Sequence, residues 1–290
     1  MTQELCPAVL SALSGLVIQG HSRSGNQLRH DMICCTFFLM KLREVIDANV
    51  RWSQATERRL GLPNDKTLWR QFEAEATALI RALPDDAVVL DLGGGRRCVY
   101  AGAVDPPGRI RLIAVDISAE ELALNGDVAE THVADIATGL PLPDGSVDLI
   151  LSRALLEHVD GVRAAVQHMG RVLKPGGVAL HLVPCRYSLF GTAARLLPFK
   201  PLLSLTHKVM PETRDHVNFE VRYDDCYPQA LMRDFRAAGF RKVQMRLTWA
   251  CPDYFTAFYP LFLLYALYEQ IVRGLGIRRL AAYVVVKATR

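Results

Sequence analysis

Apolar positions fall along this chain in two rhythms. Between residues 87 and 183 they gather into short, largely apolar runs: Ala87–Leu90, Arg109–Asp116, His132–Ile136, Ser146–Leu151 and Val178–Val183. Runs of this length bounded by turn residues fit strands buried on both faces, as in a parallel sheet. Helical rhythm fills the gaps. Ser118-Ala119-Glu120-Glu121 opens one helix with an acidic first turn, and another over Val162–Leu173 stops at Lys174-Pro175-Gly176-Gly177. The alternation predicts an α/β fold, a doubly wound parallel sheet with right-handed crossovers. Upstream, the first 35 residues follow no clear rhythm and Gly20–Asn26 is a polar break; Asp31 to Asp47 then reads as helical, and Arg43 to Arg59 continues with weak amphipathicity. After the break at Gly61–Asn64, Asp65 is placed to cap a helix from Lys66 to Leu83, with Leu68, Phe72, Ala76 and Leu79 on one face. This predicts a helical N-terminal extension over residues 1–64 and a main domain over 65–290. The helix over 65–83 is expected to pack over a ligand site or simply to cover the core.

Composition narrows the class. The 290 residues are 50% hydrophobic and 22% charged, which suits a globular protein with a large core and excludes overall disorder. A net charge of +4 permits an anionic partner, but with no clustered basic face nucleic acid is not expected. The seven cysteines form neither a C-x-x-C pair nor a zinc set, so reduced thiols, a cytoplasmic setting and no metal are expected. Leu5 to Ile18 is apolar, but the Met-Thr-Gln-Glu start lacks positive charge and Pro7 falls early, which argues against a leader.

The candidate chemistry lies at the strand ends. Val88-Val89-Leu90-Asp91 runs into Gly93-Gly94-Gly95, where missing Cβ atoms let the backbone turn tightly and approach a ligand. The unpaired N–H groups that follow suit an anionic or polar ligand. Asp116 closes the second strand, where a carboxylate can accept both hydroxyls of a ribose. Asp135 follows the third strand, placed to accept from an exocyclic amine, with Ile136 beside it to pack on a ring. Each acid alone reads as surface charge; three at successive strand ends read as a site. A nicotinamide dehydrogenase would need glycine at position 98 for the G-x-G-x-x-G fingerprint, and Cys98 stands there.

With Val89–Gly95, Ala114–Ser118 and Ala134–Ile136, the motifs Leu140–Asp148, Leu155–Val159 and Arg171–Gly177 follow in order. Together these resemble the class I S-adenosylmethionine-dependent methyltransferases, the small-molecule type in particular. The resemblance covers residues 84–185, with weaker support from 223–248 and 281–289. It implies a mostly parallel, seven-stranded Rossmann-like sheet whose sixth and seventh strands (near Arg241–Thr248 and Ala282–Ala288) form a hairpin, the C-terminal strand being antiparallel. It also implies S-adenosyl-L-methionine as cofactor. Asp91, Gly93, Gly94 and Gly95 would shape the methionine side, Asp116 and Ile117 the ribose side, and Asp135 and Ile136 the adenine side. Ser152 and Arg153 would face the sulfonium. Arg97 stands where the family usually has a further glycine, narrowing the loop or bringing a guanidinium to the cofactor's carboxylate. A non-catalytic cofactor-binding or scaffold protein of the same fold is the alternative.

A hydroxyl or amine acceptor must lose a proton, so a base is useful. His158, His181 and Tyr187 are the candidates, with His207 and His216 comparable. Two insertions are expected. About 40 residues near 185–225 mix aromatic, basic and apolar side chains where this fold places its acceptor, as a lid would. The stretch 250–280 contains fifteen uncharged residues from Tyr254 to Tyr268, followed by Arg273, Arg278 and Arg279. Its length and Pro260 exclude a simple membrane span. It is expected to cover the acceptor pocket, form a homodimer face, or lie in a membrane interface, the last making a lipid or lipid-linked glycan the natural acceptor. Otherwise the acceptor is an O- or N-nucleophile on a small metabolite.

Overall fold

The computed structural model describes residues 25–62, 65–189, 191–192, 221–250 and 253–290. Seven strands form one sheet: β1 (Val88–Leu92), β2 (Arg111–Asp116), β3 (Glu130–Val133), β4 (Val147–Arg153), β5 (Leu173–Pro184), β6 (Lys242–Thr248) and β7 (Tyr283–Thr289). Their order is β3-β2-β1-β4-β5-β7-β6. The first five pair in parallel, and β7 runs antiparallel between β5 and β6.

Both faces are buried because adjacent strand residues point to opposite sides. Val89, Leu149, Leu180 and Val285 face α2 (Asp65–Ala82), which contributes Leu68, Phe72, Ala76 and Ile80 to that core. Leu90, Ile113, Ile150 and Val286 face the opposite layer. That layer is α4 (Val162–Val172) with Val162, Val166 and Met169, and α5 (Pro228–Ala237) with Leu231 and Phe235. The short α3 (Ala119–Ala123) follows β2, and the Ser118 side chain accepts the Glu121 N–H at its N-terminus.

The boundaries differ from the sequence pattern in two places. The Lys174–Gly177 break does not stay outside the sheet: β5 already pairs at Leu173 with Val147, shifts register, and resumes at Val178 with Leu149. Gly176 sits at φ +83 and donates its N–H to the Arg290 carbonyl, so glycine's freedom serves a bulge. The third strand ends at Val133, leaving Asp135 and Ile136 in the turn beyond it.

The N-terminal helix is long, α1 (Gly25–Leu60), and it docks on α6 (Tyr259–Gly274), the helix inserted between β6 and β7. The contacts include buried and part-buried hydrogen bonds and the Trp52 ring edge-on to Tyr259. Asn49 Oδ1 accepts the Tyr259 N–H at 2.8 Å, and the Ser53 hydroxyl donates to the Thr256 carbonyl at 3.0 Å. Thr56 and the Tyr259 hydroxyl share a bond of 2.9 Å. Because β6 runs parallel to β5, its end at Thr248 opens on the edge where β1, β2 and β4 also end. The β6–β7 insertion therefore rises from that carboxyl edge, and α1 with it. Among the described residues, no helix is long and apolar enough to cross a membrane. The expected lid lies largely outside the described residues, as do His207 and His216.

Candidate functional site

At the end of β1 the chain makes its tightest approach to β2. Gly93 (φ +72) donates to the Val115 carbonyl at 2.8 Å. A Cβ on Gly94 would lie 2.8 Å from the Ala114 Cβ and 3.2 Å from an Asp91 carboxyl oxygen, a cradle only glycine fits. Asp116 closes the loop's far side. One of its oxygens accepts the Gly95 N–H at 3.0 Å and the other the Ser118 N–H at 2.9 Å. Each keeps a lone pair for a further donor.

Four residues that the sequence pattern did not single out hold this loop. Asn125 donates to the Gly94 and Gly95 carbonyls at 3.3 and 2.9 Å, and Asp127 accepts the Cys98 N–H at 3.0 Å. Arg96 makes a bidentate pair with Glu121 of α3, both bonds 2.7 Å. Arg97, the expected irregularity, is exposed; its neighbour Arg96 makes the structural contact.

Beneath the loop sits a buried polar group. Burial pushes the Asp91 carboxyl up to about 7, against the pull of a hydrogen bond with Cys98 and of the nearby Arg153 charge. The Tyr100 hydroxyl is buried beside it without a hydrogen-bond partner, its ring edge-on to Phe72 of α2. Arg153, the last residue of β4, donates to Glu73 of α2 at 2.7 Å, with its guanidinium 5.5 Å from the Trp69 ring centre. The helix over 65–83 thus reaches the site as well as the core. The next residue, Ala154, is held at φ +51, a conformation that costs a non-glycine residue about 1 kcal/mol or more.

The remaining predicted residues divide. Asp135 is exposed, with one oxygen accepting the Ala137 N–H at 2.9 Å, and Ile117 is 61% exposed; both can meet a ligand. Ile136 is 6% exposed, its side chain packed in the core with Leu140 and Leu156, so most of it faces inward. Ser152 and His181 are likewise core residues. They are fully buried, share a 2.7 Å hydrogen bond across β4 and β5, and the imidazole lies against Phe235. Burial pushes His181 down to about 3, so it stays neutral and out of a substrate's reach.

His158 is different. Its ring is partly exposed, with Nε2 3.7 Å from the Glu157 carboxylate behind it. Glu157 is buried with one oxygen unpartnered, and burial raises it to about 8. The Glu157 carbonyl accepts the Arg222 and Tyr223 N–H groups at 2.7 and 2.8 Å, which brings the exit of the 185–225 insertion beside His158. Tyr187 packs edge-on to Tyr227 and lies beneath the Arg279 guanidinium, 4.2 Å from the ring centre. A separate cleft of about 250 Å³, lined by Leu83, Asp148, Lys174 and Gly177, lies at the amino ends of β4 and β5, the wrong edge for these groups.

Residues 90–181, which hold the glycine loop, the strand-end acids, Arg153 and His158, match the family model described as a methyltransferase domain. Over 215 residues the chain is 29% identical to a demethylmenaquinone methyltransferase of Mycolicibacterium gilvum (strain PYR-GCK), covering 71% of this chain and 89% of that protein. The chain thus carries a methyltransferase domain over residues 90–181, and these matches support S-adenosylmethionine-dependent methyl transfer. This methyltransferase is also 32% identical over 124 residues to a ubiquinone/menaquinone biosynthesis C-methyltransferase of Vibrio campbellii (strain ATCC BAA-1116), covering 40% of this chain and 46% of that one. A solved S-adenosylmethionine-dependent methyltransferase from Archaeoglobus fulgidus aligns with a TM-score of 0.46 at 16% identity, over 76% of this methyltransferase and 94% of that chain.

Proposed function

We propose that this methyltransferase moves a methyl group to a lipophilic acceptor that reaches the carboxyl edge of the sheet. The observation that carries this reading is the position of α1 and α6. Two helices with large exposed apolar side chains, Trp52 and Leu60 on one and Leu264 and Leu267 on the other, stand on the edge where the acids converge. The names of the quinone methyltransferases above point the same way. A lipid intermediate offering an O–H or N–H fits this setting better than a freely soluble metabolite or glycan, and an ionised aromatic ring offering carbon fits as well.

The residues present suit S-adenosylmethionine. An acid as buried as Asp91 lacks a full cationic partner, and the ammonium of the cofactor's methionine would supply one. The unpartnered Tyr100 hydroxyl and the Arg153 guanidinium would hold the carboxylate of the same group. Asp116 would accept the ribose hydroxyls and Asp135 the adenine amine, with Ile117 on the ring. When bound, the cofactor supplies an electrophilic methyl carbon on a sulfonium. This chain must then hold the nucleophile in line and keep water away. For an O–H or N–H acceptor, His158 takes the proton.

The test combines calorimetry with product partition. The wild type is expected to bind S-adenosylmethionine, and Asp116→Ala to weaken it by roughly 100-fold, the loss of a charge-assisted pair of hydrogen bonds. His158→Gln is expected to keep the affinity while slowing transfer roughly 100-fold. With radiolabelled cofactor and a membrane extract, label is expected in the organic phase. Label confined to the aqueous phase would overturn the lipophilic acceptor, and no binding by the wild type would overturn the cofactor assignments.

A further inference from the structure

Among the described residues, the outer face of α6 is an apolar feature that the cofactor site does not use. Phe262, Tyr265, Ala266, Glu269 and Val272 form its inner face and are buried against the protein. On the opposite side Leu261, Leu264, Leu267, Ile271 and Leu275 recur every three or four residues, with exposures of 40–70%, and Phe258 continues the line ahead of the helix. This arc carries no charged residue. The only acid in α6 is Glu269, and it faces inward. At the C-terminal end of α6 the exposed charged residues are all cationic, with Arg273 in the last turn and Arg278 beyond it flanking Leu275 and Ile277. From Phe255 to Leu280, therefore, no exposed acid opposes these arginines.

We infer that this face of α6 lies in the interface of an anionic lipid bilayer, holding the methyltransferase on the membrane with its carboxyl edge toward the lipid. An apolar face with cations at one end and no anions is the pattern of an interfacial helix. A second copy of this chain is a poorer occupant. A 16-residue helix is about 24 Å long and 10 Å wide, so its strip offers roughly 240 Å², against about 800 Å² per partner in a stable dimer. A spanning role is excluded by length, since a helix needs about 20 apolar residues to cross. The inference deepens the lipophilic-acceptor reading and rests on it for its purpose, though not for its geometry.

Co-sedimentation of the full chain with vesicles tests it. Binding at low salt is expected to equimolar phosphatidylcholine and phosphatidylglycerol, and to fall at least tenfold with phosphatidylcholine alone. The double variant L264E/L267E, altered at exposed positions, is expected to lose at least tenfold in partition to both vesicles. R273E/R278E is expected to lose binding only where phosphatidylglycerol is present. Melting curves and S-adenosylmethionine calorimetry on the same preparations are expected to match the wild type. A wild type that stays in the supernatant, or an L264E/L267E variant that binds normally, would overturn the inference. So would a wild-type dimer in sedimentation velocity that the leucine variant converts to monomer without change in vesicle binding. If the protein docks but labels only aqueous products, the docking stands and the acceptor reading falls.

Discussion

The acids of this methyltransferase are tuned by where their strands end. Asp116 and Asp135 sit half-exposed or exposed and brace turns, while Asp91 and Glu157 lie buried with their charged forms disfavoured. For Glu157 the ordinary value of 4.5 rises to about 8, so between those limits the folded chain holds a proton that the unfolded chain has released. Stability from this group is therefore fully present below the unfolded value and declines as pH rises to the folded one. Glu157→Gln is expected to raise the melting temperature near pH 9, by the equivalent of about 2 kcal/mol, and to change little near pH 5. A gain independent of pH would contradict this. The strand-end acids were legible in the sequence because strand, turn and acid follow one another locally. That Ser152 and His181 face each other inside the sheet was not: which face a residue takes depends on the neighbouring strand's register. Glu157, Asn125 and Tyr100 went unnoticed for the same reason, each mattering through a partner distant in sequence.

At the scale of elements, the short, largely apolar runs gave the parallel strands, since burial on both faces removes most alternation. The alternating β3 and the bulged start of β5 blurred that signal. The pairing of α1 with α6 left no trace that periodicity could detect. Asn49, Ser53 and Glu57 are the buried residues of α1 in its last three turns, so its inner face is polar and its amphipathicity reads as weak. Two hydrogen bonds, a part-buried one from Tyr259 N–H to Asn49 and a buried one from Ser53 to the Thr256 carbonyl, fix the pair across more than 200 residues. Asn49→Ala is expected to cost about 1–3 kcal/mol by leaving the Tyr259 N–H unsatisfied. In hydrogen exchange, amides around residues 255–262 and 45–60 are expected to lose protection, and those of β1 and β4 to keep it. Uniform loss would show instead that the helix pair and the sheet unfold as one unit.

The molecule as a whole concentrates its chemistry on one edge: glycine loop, acids, His158 and the α1–α6 pair all open where β1, β2, β4 and β6 end. That edge depends on β7, which is the last strand in sequence yet lies between β5 and β6. Removing residues 283–290 takes out an interior strand, strips β5 of one neighbour and leaves β6 unattached. Such a truncation is expected to abolish S-adenosylmethionine binding and the cooperative melt together, although every cofactor-side residue is still present. Retention of both would show that five parallel strands suffice. The order of synthesis gives this placement a further meaning. A chain emerging from the ribosome can pair β1 to β5 early, but β5 then waits with an open, apolar edge for about 100 residues until β7 appears. Over that interval a second nascent chain could supply the missing strand, so slow translation or crowded synthesis is where this protein is most exposed to misassembly.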